Sequence, residues 1–411
     1  MTTINDMPFR EKALRLSPMY AAYFTLFGVF TPYLARFLTA QGLTAQEIGV
    51  IVAMVFGVNI FAPFLFSLIS DRTGQRLPLI RLGYLLMGVF YLLSLQPGGF
   101  YWYLMVFGFY GVFMSAVLPQ MEGVVMHVLG ADKARYGMIR LWGSAGYVVV
   151  VWLLGAALDH FPVTILPIIG GILCGLMWLA TWLVPKETRL SASDRTARKV
   201  MPAVPIDWFQ VVVLLLVVFF WQVAMAPYNT FFDLFLKERG FNASTIGFLI
   251  SFGSICEIGV FIAIAGWFNR FSERHLLLIA LVVTIVRWSL LASLQSSFVL
   301  ALLIQSMHAL TFGVIHSVAI HRIGRLFPIQ RQGLGQGLYV SVGMGLGLIC
   351  GNLLAGYLWT GAGTVFWAAA GFTVLATIIA WFGFGAIRGV DRPLVAADEA
   401  EISQSEDSMD R

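Results

Sequence analysis

Twelve stretches of about 20 mostly apolar residues follow one another along this chain, and each is long enough to cross a lipid bilayer as a helix. They run approximately over residues 18–38, 48–70, 78–95, 100–128, 140–158, 164–184, 208–232, 245–267, 275–294, 298–326, 334–359 and 364–387. Charged residues make up only 11% of the chain, whereas a soluble domain carries about 25%. So few charges cannot solvate a surface of this size in water. We therefore predict an all-α membrane protein with twelve transmembrane helices, surrounded by the lipid bilayer.

The basic residues are distributed unevenly between the two predicted sides of the membrane. Nearly all of the 26 Lys and Arg residues lie near the termini or in alternate loops that the helix count places on one side. The opposite side has only Arg36, Lys237 and Arg239, and Arg287 lies within an apolar run. Because cytoplasmic loops collect Lys and Arg, we predict that both termini are cytoplasmic. The localisation that follows is multi-pass in a bacterial inner membrane.

A charge-rich segment divides the chain into two halves. Residues 186–206 separate six predicted helices in 1–185 from six more in 207–388. Residues 389–411 are polar and acidic. We predict two six-helix bundles, a cytoplasmic linker between them and a disordered cytoplasmic tail.

An internal repeat relates the two halves. The eight residues Gly42 to Gly49 match Gly240 to Gly247 at four positions, and each segment precedes the second helix of its half. At the same offset, Asp71-Arg72 corresponds to Asn269-Arg270. Chance similarity between two glycine-bounded loops would not explain a shared offset at two places. The repeat predicts two pseudo-symmetric bundles related by an axis along the membrane normal.

The cysteines and short motifs give no sign of catalysis. Cys174, Cys256 and Cys350 lie in separate apolar runs, without the spacing of a metal site or a disulfide framework. The sequence contains neither a G-x-x-x-x-G-K-[ST] phosphate loop nor an H-E-x-x-H motif. The net charge of +5 comes from short loops rather than from a basic patch with interleaved aromatics. We expect no enzyme activity, no cofactor, no metal and no nucleic-acid partner.

Four ionisable residues lie inside apolar runs or at the start of one. Glu122, Glu257 and Arg287 are well inside, and Arg140 opens the fifth run. Each such group costs about 2.5–3.5 kcal/mol at mid-bilayer, and opposite charges can offset most of that cost. We predict two ion pairs, Glu122–Arg140 and Glu257–Arg287. These pairs either take part in substrate or proton binding or only hold the helices together. Buried ion pairs stabilise a fold poorly compared with apolar packing, which favours the first alternative.

Three residues with complementary chemistry share one face of the fifth predicted helix. Arg140, Ser144 and Tyr147 follow i, i+4, i+7 spacing. A cation, a hydroxyl and an aromatic ring suit a small ligand with a carboxylate and a ring, although Tyr147 could equally be ordinary packing. Further candidates for contact with a substrate are Glu122, Tyr23, Gln222 and Tyr228.

The loop after the second predicted helix carries a recognisable pattern. Residues Ser67 to Arg76 resemble the loop signature G-x-x-x-D-R-x-G-R-R of the major facilitator superfamily, with Ser67 and Gln75 as departures. The resemblance implies secondary transport by alternating access. It also implies that Asp71, Arg72 and Arg76 form a conformational gate that clasps helix ends in one state and releases them in the other.

A closer resemblance covers nearly the whole chain. Pro119-Gln-Met-Glu122, Arg140 to Tyr147, Val286-Arg287-Trp288 and Gln305-Ser-Met-His308 resemble the 3-phenylpropionate permease branch and, more distantly, the lactose permease. The resemblance implies that Glu122 and Arg140 bind substrate, and it assigns proton coupling to the set Glu257, Arg287, His308 and His316. An imidazole changes its charge in the physiological pH range, although buried histidines are also often structural.

Two departures from the lactose permease concern the same helix. The lactose permease has a glutamate at the position of Thr311 and a lysine at the position of Gln305. We therefore expect proton-coupled uptake of a small aromatic or other organic acid by a protein that works as a monomer. The alternatives are a proton-linked sugar or nucleoside symporter of the same fold and, more remotely, a receptor or enzyme that does not transport.

Overall fold

The computed structural model describes residues 7–184, 206–328, 331–361, 363–385 and 387. Within these ranges the regular elements are all helical. The α-helices are α1 (Phe9–Phe30), α2 (Leu34–Ala40), α3 (Ala45–Gly57), α4 (Ala62–Thr73), α5 (Leu77–Leu93), α6 (Phe100–Leu129), α7 (Tyr136–Ala157), α8 (Ile165–Ala180), α9 (Trp208–Glu238), α10 (Ala243–Phe268), α11 (Glu273–Ala292), α12 (Phe298–His308), α13 (Ile315–Leu326), α14 (Gln332–Leu338), α15 (Gly347–Leu358) and α16 (Thr364–Gly383). Short 3-10 segments cover Val58–Ile60 and Gly130–Arg135, and π-helical segments cover Ala309–Val314 and Tyr339–Leu346.

The helices occupy the positions of the twelve apolar runs. In the described ranges, eight helical spans are long and apolar enough to cross a membrane, or nine when α1 and α2, bent by 42°, count as one span. The span Phe100–Ala157 contains both α6 and α7, and α5 and α8 are shorter apolar helices. The prediction of an all-α membrane protein is confirmed, and the number of twelve crossings stays a prediction.

The helices form two groups that follow chain order. In the N-terminal group, α1 to α8, α1 packs against α7 and α8, and α5 packs against α6. In the C-terminal group, α9 to α16, α9 packs against α15 and α16. The groups meet mainly where α7 contacts α10 and where α3 contacts α15. The linker 186–206, apart from Ile206, and the tail 389–411 lie outside the described residues, so the predicted domain boundaries stay predictions.

The two copies of the repeat have the same local structure. Gly42 and Gly240 have φ of 84° and 86°, a left-handed conformation that glycine adopts without steric cost. Two residues further on, Thr44 and Asn242 accept hydrogen bonds from backbone N–H groups with their side chains and so cap α3 and α10. The repeated sequence therefore encodes the same turn and helix start in each half.

The repeat also supplies close backbone contacts between the two groups. Here the outer end of the protein is the end that the Lys and Arg distribution predicts to face outside, and the inner end is the opposite one. At the outer end, a methyl group on Gly49 would lie 2.6 Å from the Asn352 carbonyl oxygen and 3.0 Å from Gly356. A methyl group on Gly247 would lie 3.0 Å from Gly155. Only glycine allows the backbones to approach this closely.

Candidate functional site

A cavity of about 540 Å³ lies between the two groups of helices. Residues of α1, α7, α9, α10 and α12 line it. The lining side chains that carry charge or hydrogen-bonding groups are Thr31, Arg140, Ser144, Tyr147, Tyr228, Asn229, Asp233, Ser254, Glu257 and His308. Aromatic rings of Phe24, Phe27, Phe232, Phe261 and Phe312 complete much of the wall. A few polar groups in a largely apolar enclosure are typical of small-molecule sites.

One wall of the cavity comes from α7. Arg140, Ser144 and Tyr147 all line it, as their helical spacing requires. The Arg140 guanidinium carbon lies 3.9 Å from the centre of the Phe24 ring, and the rings of Phe27 and Tyr147 lie 6.3 Å apart. A cation held against aromatic rings thus faces the space between the groups.

The predicted ion pair between Glu122 and Arg140 is wrong for this structure, since none of the ion pairs of the described residues joins them. Glu122 lies outside the cavity lining and instead accepts a hydrogen bond from the Tyr136 hydroxyl at 3.2 Å. Tyr23 is also outside the lining and donates to the Met114 carbonyl at 3.0 Å. Arg140 therefore faces the cavity without a carboxylate neighbour within ion-pair distance.

The opposite wall comes from the C-terminal group. The Glu257 carboxylate lies 3.6 Å from His308 Nε2, and the rings of His308 and Tyr228 lie 5.1 Å apart. His308 is the last residue of α12 and precedes the π-helical segment Ala309–Val314. Such segments are frequent at functional sites. Two groups that can each carry a proton thus lie side by side at the cavity.

The predicted ion pair between Glu257 and Arg287 is also wrong for this structure. Arg287 is fully buried and lies outside the cavity lining. Its hydrogen bonds go to the Ile304 carbonyl, the Gln305 side chain and the Thr311 hydroxyl. Thr311 thus supplies a neutral acceptor to this cation.

Several sequence-predicted site residues do not reach the cavity. His316 Nδ1 is hydrogen-bonded to the Tyr339 hydroxyl at 2.6 Å, and His316 lies outside the cavity lining. Gln222 is buried against Gly347 of α15. In the predicted gate loop, Asp71 and Arg72 are exposed, and the Arg76 guanidinium lies against Gly123 of α6. The structure therefore divides the predicted set between the cavity, the buried core and the inner end.

The sequence interpretation missed an ion pair that joins the two groups. Arg36 of α2 donates from Nε and Nη2 to both carboxylate oxygens of Asp233 in α9, at 2.6 and 2.7 Å. Both side chains are buried, and Asp233 lines the outer end of the cavity. A signal existed: the two residues are 197 positions apart, almost the offset between Gly42 and Gly240. Nearly equivalent positions close to a pseudo-two-fold axis lie near each other.

A second polar contact between the groups lies nearby. The Asp159 carboxylate accepts hydrogen bonds from the backbone N–H groups of Ala243 and Ser244, at 2.8 and 3.1 Å. These N–H groups begin α10, where the helix dipole favours a negative charge. A further hydrogen bond between the groups comes from Ser251, which donates to the Val148 carbonyl at 2.8 Å. The protein is therefore closed at its outer end.

Within the described ranges, no three His, Cys, Asp or Glu side chains come together as a metal site would require. The arrangement instead resembles the enclosed central site of a membrane transporter: two repeated helical groups, a cavity between them and contacts that close one end. The fold is that of the major facilitator superfamily. More narrowly, the chain belongs to the MFS_1-like family, whose model matches residues 13–369.

The chain is similar to several known transporters. The chain is 28% identical over 365 residues to the "Probable 3-phenylpropionic acid transporter" of Escherichia coli (strain K12), covering 85% of this chain and 92% of that protein. It is 25% identical to the maltose permease of Geobacillus stearothermophilus, covering 82% and 86% of the two chains. The crystal structure of the nucleoside transporter NupG superposes with a TM-score of 0.80 at 16% identity, covering 91% of this chain and 99% of that one.

Proposed function

We propose that this transporter takes up a small aromatic or other organic acid together with protons, by alternating access between its two groups of helices. The observation that carries the proposal is Arg140, a cation in the cavity wall next to aromatic rings. A carboxylate pairs well with a guanidinium, and an aromatic body fits against Phe27 and Tyr147. Similarity to a protein named for 3-phenylpropionic acid points to the same substrate class.

In the proposed binding mode, the acid lies between the two groups. Its carboxylate contacts Arg140, Ser144 offers a hydroxyl, and Tyr147 and Tyr228 contact its apolar body. A volume of about 540 Å³ is within the range of small-molecule pockets. Glu122, Tyr23 and Gln222 lie outside the cavity lining in this conformation. We propose that they position the helices that carry the lining residues and do not contact the substrate.

Proton coupling is proposed for Glu257 and His308. Their side chains lie 3.6 Å apart at the cavity, so a proton taken up by either changes the charge that the substrate meets. Coupling requires that proton and substrate bind the two facing states with different affinities. We further propose that Asp71, Arg72 and Arg76 stabilise one facing state at the inner end. The protein would act as a monomer in a bacterial inner membrane, with both termini in the cytoplasm.

A second candidate is a proton-linked sugar or nucleoside symporter. Relatives include a maltose permease, and a structure of the same fold is a nucleoside transporter. The polar groups of Ser144, Asn229 and Ser254 in the lining would suit hydroxyl-rich ligands. This candidate predicts neutral substrates, for which a cation in the wall has no partner.

Uptake into proteoliposomes separates the two candidates. Purified protein is reconstituted and supplied with radiolabelled 3-phenylpropionate, maltose or uridine, with protein-free liposomes as the control for passive entry of the acid. We expect saturable uptake of 3-phenylpropionate above that control. Maltose and uridine should not be taken up above it. Uptake of maltose or uridine alone would overturn the organic-acid proposal in favour of the second candidate.

A further inference from the structure

The guanidinium of Arg287 is surrounded by neutral groups. It donates to the Ile304 carbonyl at 3.2 Å, to Thr311 Oγ1 at 3.3 Å and to Gln305 Oε1 at 3.3 Å. Its carbon lies 4.3 Å from the Tyr228 ring centre. None of the ion pairs formed by the described residues includes Arg287. Its positive charge is therefore held by hydrogen bonds and a ring face, without a neutralising carboxylate.

Such an arrangement is a poor way to stabilise a fold. Burying a charge without an opposite partner is costly, and an apolar side chain in the same place would pack better. Arg287 nevertheless lies directly behind the cavity wall, because Tyr228 both contacts Arg287 and lines the cavity. An uncompensated cation in this place acts on whatever occupies the cavity.

Gln305 fixes the direction of the hydrogen bonds around this cation. Its Nε2 lies 3.0 Å from both the Leu249 carbonyl oxygen and the Tyr228 hydroxyl. A guanidinium can only donate and a carbonyl can only accept. The amide oxygen of Gln305 must therefore face Arg287, and its nitrogen must face Leu249. The opposite orientation would oppose two donors on one side and two acceptors on the other.

This orientation determines the role of the Tyr228 hydroxyl. Because Gln305 Nε2 donates to it, the hydroxyl is an acceptor on that side, and its own hydrogen is left for another acceptor. None of the hydrogen bonds within the described ranges has Tyr228 as the donor. Hydrogen bonds that run in one direction polarise one another. The chain Arg287–Gln305–Tyr228 thus carries donor character from the buried cation to the cavity wall.

We propose that the Arg287–Gln305–Tyr228 chain selects anionic substrates, with Arg287 acting as a positioning residue that never touches the ligand. The inference rests on the proposed function, since it concerns the same cavity. Arg140 of the N-terminal group and Arg287 of the C-terminal group then place positive charge on both sides of the ligand. Two unit charges about 10 Å apart at an effective dielectric constant of about 20 change an affinity on the order of tenfold.

The test compares a carboxylate with its neutral analogue. Affinities of 3-phenylpropionate and 3-phenylpropionamide are measured by calorimetry for the parent protein and for variants. Arg287→Gln removes the cation, and Gln305→Glu places an anion beside it in nearly the same volume. Each change lowers the local charge by one unit and should therefore reduce the ratio of acid affinity to amide affinity by about tenfold. Tyr228→Phe, which removes only the terminal donor, should reduce it less.

One control keeps the positive charge at position 287, and a second adds a negative charge far from the cavity. Arg287→Lys retains the positive charge and should retain most of the preference for the acid. Gln96→Glu adds a negative charge at an exposed position of an outer loop and should leave the ratio unchanged. Gln305→Glu keeps an acceptor for Arg287, so it tests the inference even if Arg287→Gln fails to fold.

The outcomes distinguish this inference from the proposed function. A parent protein that binds the acid, with variants that weaken acid and amide equally, would show a structural role and overturn the inference alone. An unchanged ratio in Gln305→Glu would do the same. A parent protein that binds no carboxylate overturns the proposed function, and this inference with it.

Discussion

Arg36 and Asp233 form a buried, bidentate ion pair that joins the N-terminal group of helices to the C-terminal group. The pair closes the outer end of the cavity, since Asp233 also lines it. Any conformation that opens this end must separate the two charges. Under the proposed alternating access, each transport cycle would have to break this contact and form it again.

Removing one partner of this pair should favour the open outer end. In Asp233→Asn, Arg36 is left buried without its anion, which costs about 3–5 kcal/mol in the closed state only. A cysteine at Thr31, in a background with the native cysteines replaced by serine, should react faster with an impermeant maleimide from outside. The exchanged pair Arg36→Asp with Asp233→Arg should restore slow labelling. Equal labelling rates in parent and Asp233→Asn would remove the pair from the gating mechanism.

The Asp159 contact at the outer end should depend on pH in the acid range but not near neutral pH. Burial raises the pKa of Asp159, but the hydrogen bonds from Ser244 and from the backbone N–H of Ala243 outweigh it, and the pKa lies below its usual value. With the outer end open, the carboxylate regains an ordinary pKa. The contact is therefore fully present above that ordinary value and is lost as the pH falls through the lowered one.

The measurement is again the labelling rate at Thr31→Cys, corrected for the pH dependence of the reagent with a cysteine at exposed Gln96. We expect the labelling rate of the parent protein to be independent of the Asp159 titration between pH 6 and 8, where the contact is fully formed, and to rise only in strong acid. Asp159→Ala should label at the faster rate throughout. A transition near neutral pH that disappears in Asp159→Ala would contradict this account.

Arg140 should contribute mainly to recognition of the carboxylate. Hydrogen bonds to charged groups contribute about 1.5–3 kcal/mol, so Arg140→Gln should weaken 3-phenylpropionate binding by about 10–100-fold. Arg140→Lys should lose less, because it keeps the charge but not the two-point geometry. Thermal unfolding without ligand provides the control for folding. Unchanged affinity for the acid in a folded Arg140→Gln protein would refute this role.

Glu257 should be required for concentrating the substrate but not for exchanging it. With a pH gradient that is acidic outside, parent proteoliposomes should accumulate 3-phenylpropionate beyond the passive level of protein-free liposomes. Glu257→Gln should retain exchange of internal for external acid and lose this accumulation. His308→Gln, which keeps a polar side chain, shows whether the neighbouring imidazole shares the proton. If Glu257→Gln concentrates substrate as well as the parent, the proton site lies elsewhere.

The predicted sidedness is tested by labelling in intact cells. Cysteines at Gln41, Gln96 and Gln295 lie in loops of the outer end and should react with an impermeant reagent from outside. A cysteine at Gln75, in the loop of the opposite end, should react only after the membrane is permeabilised. The reverse pattern would contradict the orientation derived from the Lys and Arg distribution.

The positions of the helices could be predicted because apolar runs of this length have few alternatives in a bilayer. The shared face of Arg140, Ser144 and Tyr147 followed equally from helical periodicity. What the sequence did not determine was the partner of each buried charge. Successive helical residues differ by about 100° in direction, so a small rotation of one helix decides which neighbour a side chain meets. Glu257 accordingly lies beside His308, and Arg287 lies behind Tyr228.

The ion pair Arg36–Asp233 shows a different limit. Each residue lies near the end of the first long apolar segment of its half. A charged residue at such a place is normally interpreted as the start of a loop, so neither residue stands out in the sequence. At the repeat offset of 240 − 42 = 198 residues, Arg36 corresponds to Leu234, the residue next to Asp233. Residues that face a pseudo-symmetry axis are neighbours in space although nearly half the chain separates them. An internal repeat therefore contains information about contacts that single-helix patterns lack.

The glycine contacts at the outer end also describe how such a molecule could have arisen. Gly49 and Gly247 hold the same position in the two repeats, and each meets a glycine of the opposite group, Gly356 and Gly155. One surface meeting its own copy across a two-fold axis is the geometry of a symmetric homodimer. A half-length ancestor with one such glycine pair would have formed both contacts on dimerising. Fusion of two such copies would have left each side of the contact free to diverge, so that the nearly equivalent positions Arg36 and Asp233 could come to carry opposite charges.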